Sequence, residues 1–429
     1  MLEKDYGTIR EKQVRDVAAR LGVADFVYFA LPTSKGKAQR EAAGDGLLLV
    51  GEHGAILQVK TREPAIGLTD SVERARAWVK KNAEKAVKQG LGTKRELSRR
   101  KEMGTPIVAF PVRALNLSEQ ARERYKCYIS YDTRDWPVIV ILDHPQMPDI
   151  DLGFTPGVVY FGFNDWSELQ RRLRSTFATI NYVHRILRDN LHVPLWQEAS
   201  RYIAVYGADE ASANDSVTTF PYLAHPDHLD ELGTDIFHDI IDKVWPDDGD
   251  IPWKSVEEYR AIVEFLDTVP PQLQSVVGRW ILRKRSEITN GQRVSSGLIQ
   301  LELKHRLIFA CSHLEHWSDG HEWFREFMFL TSLRHIQAIE SGAVENTKTL
   351  GVAALVEDRG EKIGMSYSFF MVSGHESYVD IPKDLRRNFE WRYGIHNHQT
   401  ATTLEMQVEP KELCPCMSGK EFMICCGNV

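Results

Sequence analysis

The chain contains no run of about 18 apolar residues, the length a membrane-crossing helix requires. Its opening stretch, MLEKDYGTIREKQVRD, is charged throughout and lacks the apolar core of a secretory signal, so a cytoplasmic location without a membrane partner is expected. Cysteine is scarce. Six in 429 residues cannot staple a disulfide scaffold, which points to a reducing compartment. Excess positive charge is also missing: 53 Lys and Arg stand against 60 Asp and Glu, a formal net charge of -7, so any surface for nucleic acid must be local. No Gly-x-x-x-x-Gly-Lys-Ser/Thr phosphate loop occurs, which excludes a motor ATPase built on that loop. Nor is there an internal repeat, a low-complexity tract or a sustained heptad.

What is there is ordinary globular composition, 43% hydrophobic and 26% charged, in a length that suggests two or three domains. The spacing of Val14, Val17, Ala18 and Leu21 predicts a helix over 8–21. Two apolar strands, 46–50 and 55–59, flank Gly51-Glu52-His53-Gly54 and read as a hairpin. A helix over 71–89 follows, with Ser71 as N-cap, Val72, Ala75, Val79, Ala83 and Ala86 on one face, and Arg74, Lys81, Lys85 and Lys88 on the other. Further strands are expected at 107–112, 126–131, 138–142 and 158–163, then one long helix over 165–189. The acidic, proline-containing stretch 209–258 reads as a partly irregular connection. Helices are predicted beyond it at 255–268, 298–317 and 322–341, then strands at 351–356 and 365–372. The fold class expected is α/β in the first half and α+β in the second, with boundaries at 1–205, 206–254, 255–410 and 411–429.

Four of the six cysteines, Cys414, Cys416, Cys425 and Cys426, fall in thirteen residues at the end of the chain. Zinc takes four ligands at tetrahedral angles, and thiolates at about 2.3 Å suit it. Cys414-Pro415-Cys416 offers two from a tight turn; after Met417-Ser418-Gly419-Lys420, a short segment delivers the adjacent pair. The plainer alternative is a reduced tail without metal. CPCMSGKEFMICCG resembles the SEC-C motif, the zinc module found at the end of the preprotein translocase motor and on many unrelated bacterial proteins. All four ligand positions and the Ser418-Gly419 turn match; Met417 stands where the family usually has glycine. The resemblance covers about fourteen residues and implies zinc and docking of a protein partner, not secretion.

A second constellation lies in the first half. Gln58 and Lys60 are two apart on a strand and leave the same face. A hairpin turning around Glu52 and His53 sets position 45 opposite position 60, bringing the Asp45 carboxylate to the same end of the sheet. An acid, an amide oxygen and an amine grouped this way suit phosphodiester hydrolysis. Magnesium or manganese needs only one or two protein oxygens and acidifies a bound water, and a lysine steadies developing negative charge. The pattern resembles the PD-(D/E)xK restriction-endonuclease-like superfamily in its Gln-x-Lys variant. By that resemblance Asp45 matches the metal-binding aspartate, Gln58 the second acidic position and Lys60 the lysine, and a helix following the strand fits the fold. Glu41 is a candidate second carboxylate. The bland alternative makes Asp45 a turn residue and sets Gln58 and Lys60 on an exposed edge strand.

Charge adds to this. From Lys60 to Lys101 thirteen Lys or Arg stand against five Asp or Glu. Lys81, Lys85, Lys88, Lys94 and Arg95 are the expected contacts to phosphates, which such residues bind without reading sequence; a solvated helix face is the alternative. Weaker candidates are a metal site from Cys311, His313, His316 and His321, and His396-Asn397-His398, which lacks a ββα pattern around it. The aromatic helix containing Trp323, Phe324, Phe327, Phe329 and Leu330 reads most simply as core. The expectation is therefore a metal-dependent nuclease; the rival is a non-catalytic adaptor that binds nucleic acid or protein and is recruited through the zinc module.

Overall fold

Three nearly unbroken apolar runs, at 46–50, 55–59 and 138–142, become the middle of one sheet because helices cover both of its faces. The computed structural model describes residues 6–30, 45–63, 71–146, 149–214, 222–227, 230–245, 254–291, 293–301, 305–340, 347–359 and 362–374. By its contacts the chain divides into two units, Met1–Leu229 with Pro270–Gln272, and Asp230–Val269 with Leu273–Val429. The division falls within the 206–254 stretch expected to connect the halves. That stretch is helical where it begins: α6 spans Glu198–Asn214 and α7 spans Glu231–Asp242.

The first unit holds a seven-stranded mixed sheet. Its strands are β1 (Val27–Ala30), β2 (Gly46–Val50), β3 (His53–Thr61), β4 (Ile107–Pro111), β5 (Cys127–Ile129), β6 (Val138–Asp143) and β7 (Val158–Gly162), in the order β5-β4-β1-β2-β3-β6-β7. Pairing is antiparallel from β5 to β3 and parallel across β3, β6 and β7. The short α3 (Glu119–Arg124) lies between β4 and β5 in the chain, and helix α2 (Val72–Glu102) covers one face. Its Val79, Ala83, Ala86 and Leu97 join Leu47, Leu49, Ile56, Val138, Val140 and Leu142 in one core. Ser71 caps it as expected, accepting the Arg74 N–H at 3.3 Å. The other face is covered by α1 (Tyr6–Leu21), α4 (Phe163–Leu173) and α5 (Thr176–Arg188), with the Trp166 indole donating to the Val14 carbonyl at 3.3 Å.

The single helix expected over 165–189 is two. Arg174 adopts a left-handed φ of 49° and ends α4, and the Ser175 hydroxyl then accepts the Ala178 N–H at 2.9 Å to start α5.

In the second unit α8 (Val256–Asp267) and α9 (Pro271–Thr289) precede a four-stranded sheet, β11-β10-β9-β8. The strands are β8 (Val294–Gln300), β9 (Arg306–His313), β10 (Lys348–Arg359) and β11 (Lys362–Ser373). The helix expected over 298–317 is therefore wrong: the stretch is mostly a β8–β9 hairpin. Leu307 to Cys311 is apolar all round because β9 is interior to the sheet, and such a run has no period that separates strand from helix. Helix α10 (Gly320–Glu340) lays Trp323, Phe327, Leu330 and Leu333 on one face of this sheet, so its aromatics are core. On the other face the Trp280 ring of α9 lies 5.6 Å from that of Phe309.

Both sheets contain the same local path of hairpin, crossover helix and parallel strand. In the first it is β2–β3, α2 and β6, with β4 and β5 inserted; in the second it is β8–β9, α10 and β10.

Candidate active site

The turn between β2 and β3 is the two-residue Gly51-Glu52, with Gly51 at a φ of 56° that a side chain resists. Gly46 therefore pairs with Leu57 and Val50 with His53, which sets position 45 opposite 58 instead of 60. The expected register was off by two. Because side chains alternate with a period of two, that shift leaves the face unchanged. Asp45, Gln58 and Lys60 thus share the face that α2 covers, together with Leu47, Ile56, Val140 and Leu142.

The Asp45 carboxylate sits 3.6 Å from the Lys60 ammonium and accepts the Val59 N–H at 2.6 Å. Lys60 also donates to the Val59 carbonyl at 2.9 Å, so both backbone polar groups of Val59 hold the pair in place. From α1, the Arg15 guanidinium donates to the Asp45 main-chain carbonyl; burial lowers its pKa, against the opposing pull of Glu11, Asp45 and Asp16. Gln58 is 1% exposed, and its Nε2 has no hydrogen-bond partner among the described residues. Gly90 of α2 lies over it: a Cβ built there would stand 3.3 Å from Gln58 Cγ and 2.3 Å from Val138 Cγ1. An unpaired buried amide N–H costs about 1–3 kcal/mol.

One acid at this end of the sheet escaped the sequence reading. Asp143, at the end of β6, pairs in register with Thr61, accepts its hydroxyl at 2.9 Å and holds Arg10 of α1 at 2.7 Å. Thr61 follows Lys60, so this pair belongs to the opposite face of the sheet. Only the parallel pairing of β3 with β6 brings position 143 here, and no local pattern announces that pairing. Glu41 lies outside the described residues, as do Cys414, Cys416, Cys425, Cys426 and the His396–His398 triplet.

The donor set fits a hard cation in kind. A carboxylate and an amide are oxygen donors, and magnesium retains several waters, so two protein ligands suffice. Among the described residues no group of three or more His, Cys, Asp or Glu is placed to hold a metal. The Cys311 thiol is fully buried, and burial pushes its pKa up to about 12. His313 and His316 instead face Glu315, at 3.7 and 3.8 Å.

The basic helix divides into two kinds of residue. Lys81, Lys85, Lys88 and Arg95 are exposed on α2. Lys94 turns inward, giving its ammonium to the Trp136 carbonyl at 2.9 Å, and burial lowers its pKa. Further on, Arg99 and Arg100 share Glu96 at 2.7 and 2.8 Å, and Lys101 lies 3.7 Å from Asp132. No protein-family model, curated protein or solved structure matches the chain.

Proposed function

We propose that the first unit is a metal-dependent phosphodiesterase acting on nucleic acid, with Asp45, Gln58 and Lys60 as its site. The observation that carries this reading is the convergence of a carboxylate, an amide and an amine on one covered face of the β2–β3 hairpin, with Asp45 and Lys60 3.6 Å apart. A helix follows the Gln-x-Lys strand, as the restriction-endonuclease-like resemblance asks. A bound magnesium or manganese ion would neutralise the scissile phosphate and acidify a water.

Asp45 and Gln58 are the residues to hold that ion. The neutral amide of Gln58 makes the grip weaker than two carboxylates would. Lys60 keeps its ammonium beside Asp45, where it steadies charge developing on the phosphate oxygens. Zinc, held by Cys414, Cys416, Cys425 and Cys426, belongs to a separate module that recruits a protein partner.

The test is cleavage of labelled single- and double-stranded DNA and RNA by the full chain with magnesium, manganese or EDTA. Asp45→Asn and Lys60→Met are each expected to lower the metal-dependent rate about 100-fold or more. Gln58→Glu adds a second carboxylate and is expected to shift half-saturation to lower magnesium. Absence of EDTA-sensitive cleavage on every substrate sinks the enzyme reading. The adaptor reading then stands. It draws on the engagement of Asp45 by the Val59 amide and on the burial of Gln58, both of which describe a closed site.

A further inference from the structure

The helix that covers Gln58 has a second face with a groove beside it. Val87, Lys88, Leu91 and Arg95 of α2 line one wall; Tyr160 of β7 and Thr155, just before that strand, line the other, enclosing about 370 Å³. Val87, Leu91 and Tyr160 all pack against the sheet's core and form an apolar floor. The Tyr160 and Thr155 hydroxyls share a hydrogen bond of 2.9 Å, which fixes the phenol ring against the groove. Burial raises the Tyr160 pKa and nearby Glu84 adds to it, so the ring stays neutral.

The two cations differ from those farther along the helix. Arg99, Arg100 and Lys101 are matched by Glu96 and Asp132, whereas neither Lys88 nor Arg95 makes an ion pair among the described residues. Seven residues apart, they stand about 10.5 Å from each other along the helix axis. Two cations outside any ion pair among the described residues, flanking an aromatic, apolar slot, suit a ligand that is anionic at both ends and flat between them. Glu84, one turn before Lys88 on the same wall, offers an acceptor to a base amine.

We propose that this groove binds single-stranded nucleic acid, taking one unstacked base against Tyr160 and Leu91 while Lys88 and Arg95 hold the flanking phosphates. The volume falls in the range of small-ligand sites and suits one nucleotide. A base paired and stacked in a duplex cannot enter such a slot, so the groove discriminates for unpaired strands, as aromatic-lined basic grooves do. Gly90, which presses on Gln58, is within one turn of both Lys88 and Leu91. The same turn of α2 therefore borders the groove on one side and the hairpin site on the other. The inference deepens the nucleic-acid reading above and names the substrate class as unpaired strands.

The experiment is fluorescence anisotropy with the full chain in EDTA, using one labelled 12-mer as single-stranded DNA, single-stranded RNA and DNA duplex. Either single strand is expected to bind at least tenfold tighter than the duplex, and the DNA and RNA arms decide which sugar is preferred. Tyr160→Leu is expected to lose about tenfold of that affinity while Tyr160→Phe, which keeps the ring, loses little. Lys88→Gln with Arg95→Gln is expected to flatten the single-strand salt dependence by a slope of about 1.4. Circular dichroism of each variant separates loss of binding from loss of fold. Equal affinity for strand and duplex, or Tyr160→Leu binding like the parent, overturns the groove. Single-strand binding that follows Tyr160 in a protein that cleaves nothing overturns the catalytic reading and leaves the groove intact.

Discussion

Lys94 and Arg95 are adjacent in the sequence and indistinguishable by composition, yet their environments differ. Arg95 is exposed on the groove, while Lys94 reaches under the helix to the Trp136 carbonyl, just before β6. A count of positive charge treats them alike; the helical period, with Lys94 next to buried Thr93 and one turn from Leu97, separates them. Lys94→Met is expected to lower stability by about 1 kcal/mol through the lost hydrogen bond, and to leave nucleic-acid affinity unchanged. Urea melts paired with anisotropy check both halves of that statement. Gln58 teaches the converse. Its place on the strand was readable from the Gln-x-Lys spacing, but its burial beneath Gly90 was not, because a long-range helix contact creates it.

At the scale of elements, side-chain caps marked two helix starts correctly. Ser71 starts α2 and Ser255 starts α8, the latter accepting the Glu258 N–H at 3.2 Å in a capping box. The break between α4 and α5 was also written in the chain, as Ser175-Thr176 in mid-helix, but the apolar stripe on either side overrode it. The hairpin register went wrong because the glycine bracket permits more than one turn, and parity kept the error from mattering. The β8–β9 stretch failed for a different reason: the interior of a sheet covered on both sides erases the alternation that identifies strands. Helix α2 also runs thirteen residues past the expected end, through Gly90 and Gly92, both poor helix formers. At Gly90 the reason is the close approach to Val138 and Gln58. Gly90→Ala gains about 1 kcal/mol of helix propensity but drives a methyl into Val138, so a net loss of about 1–3 kcal/mol is expected by urea denaturation. That variant should also impair cleavage more than strand binding, since Gln58 lies beneath it and the groove beside it.

For the whole molecule, the two units separate what was legible from what was not. The sequence announced an acidic stretch between halves, and the contact boundary falls inside it at 229. The sheet orders, by contrast, depend on pairings between strands as distant as β3 and β6, which no local pattern encodes. The terminal cysteine cluster is expected to carry one equivalent of zinc per chain, measured by mass spectrometry of the metal, with Cys414→Ser and Cys426→Ser each lowering it sharply. Their effect on any magnesium-dependent cleavage is expected to be small, because the proposed site of Asp45, Gln58 and Lys60 and the groove lie in the first unit.

The hairpin, helix and parallel strand repeated in the second sheet bear on how much of this chemistry is architecture. Its helix-facing positions on the β8–β9 pair run Val294, Ser296 and Leu298 against Ser312, Ala310 and Ile308 and end at Gln300 against Arg306; Arg306 donates to the Arg334 carbonyl of α10 at 2.8 Å, Ser312 is committed to the Arg293 carbonyl and the Trp317 indole, and no carboxylate stands among these positions. One backbone itinerary thus occurs twice in a single polypeptide, once with a carboxylate beside an amine and once with its one described basic side chain spent on the covering helix and no acid opposite it. The protein carries its own acid-free counterpart, against which the contribution of three side chains can be weighed apart from the path that supports them.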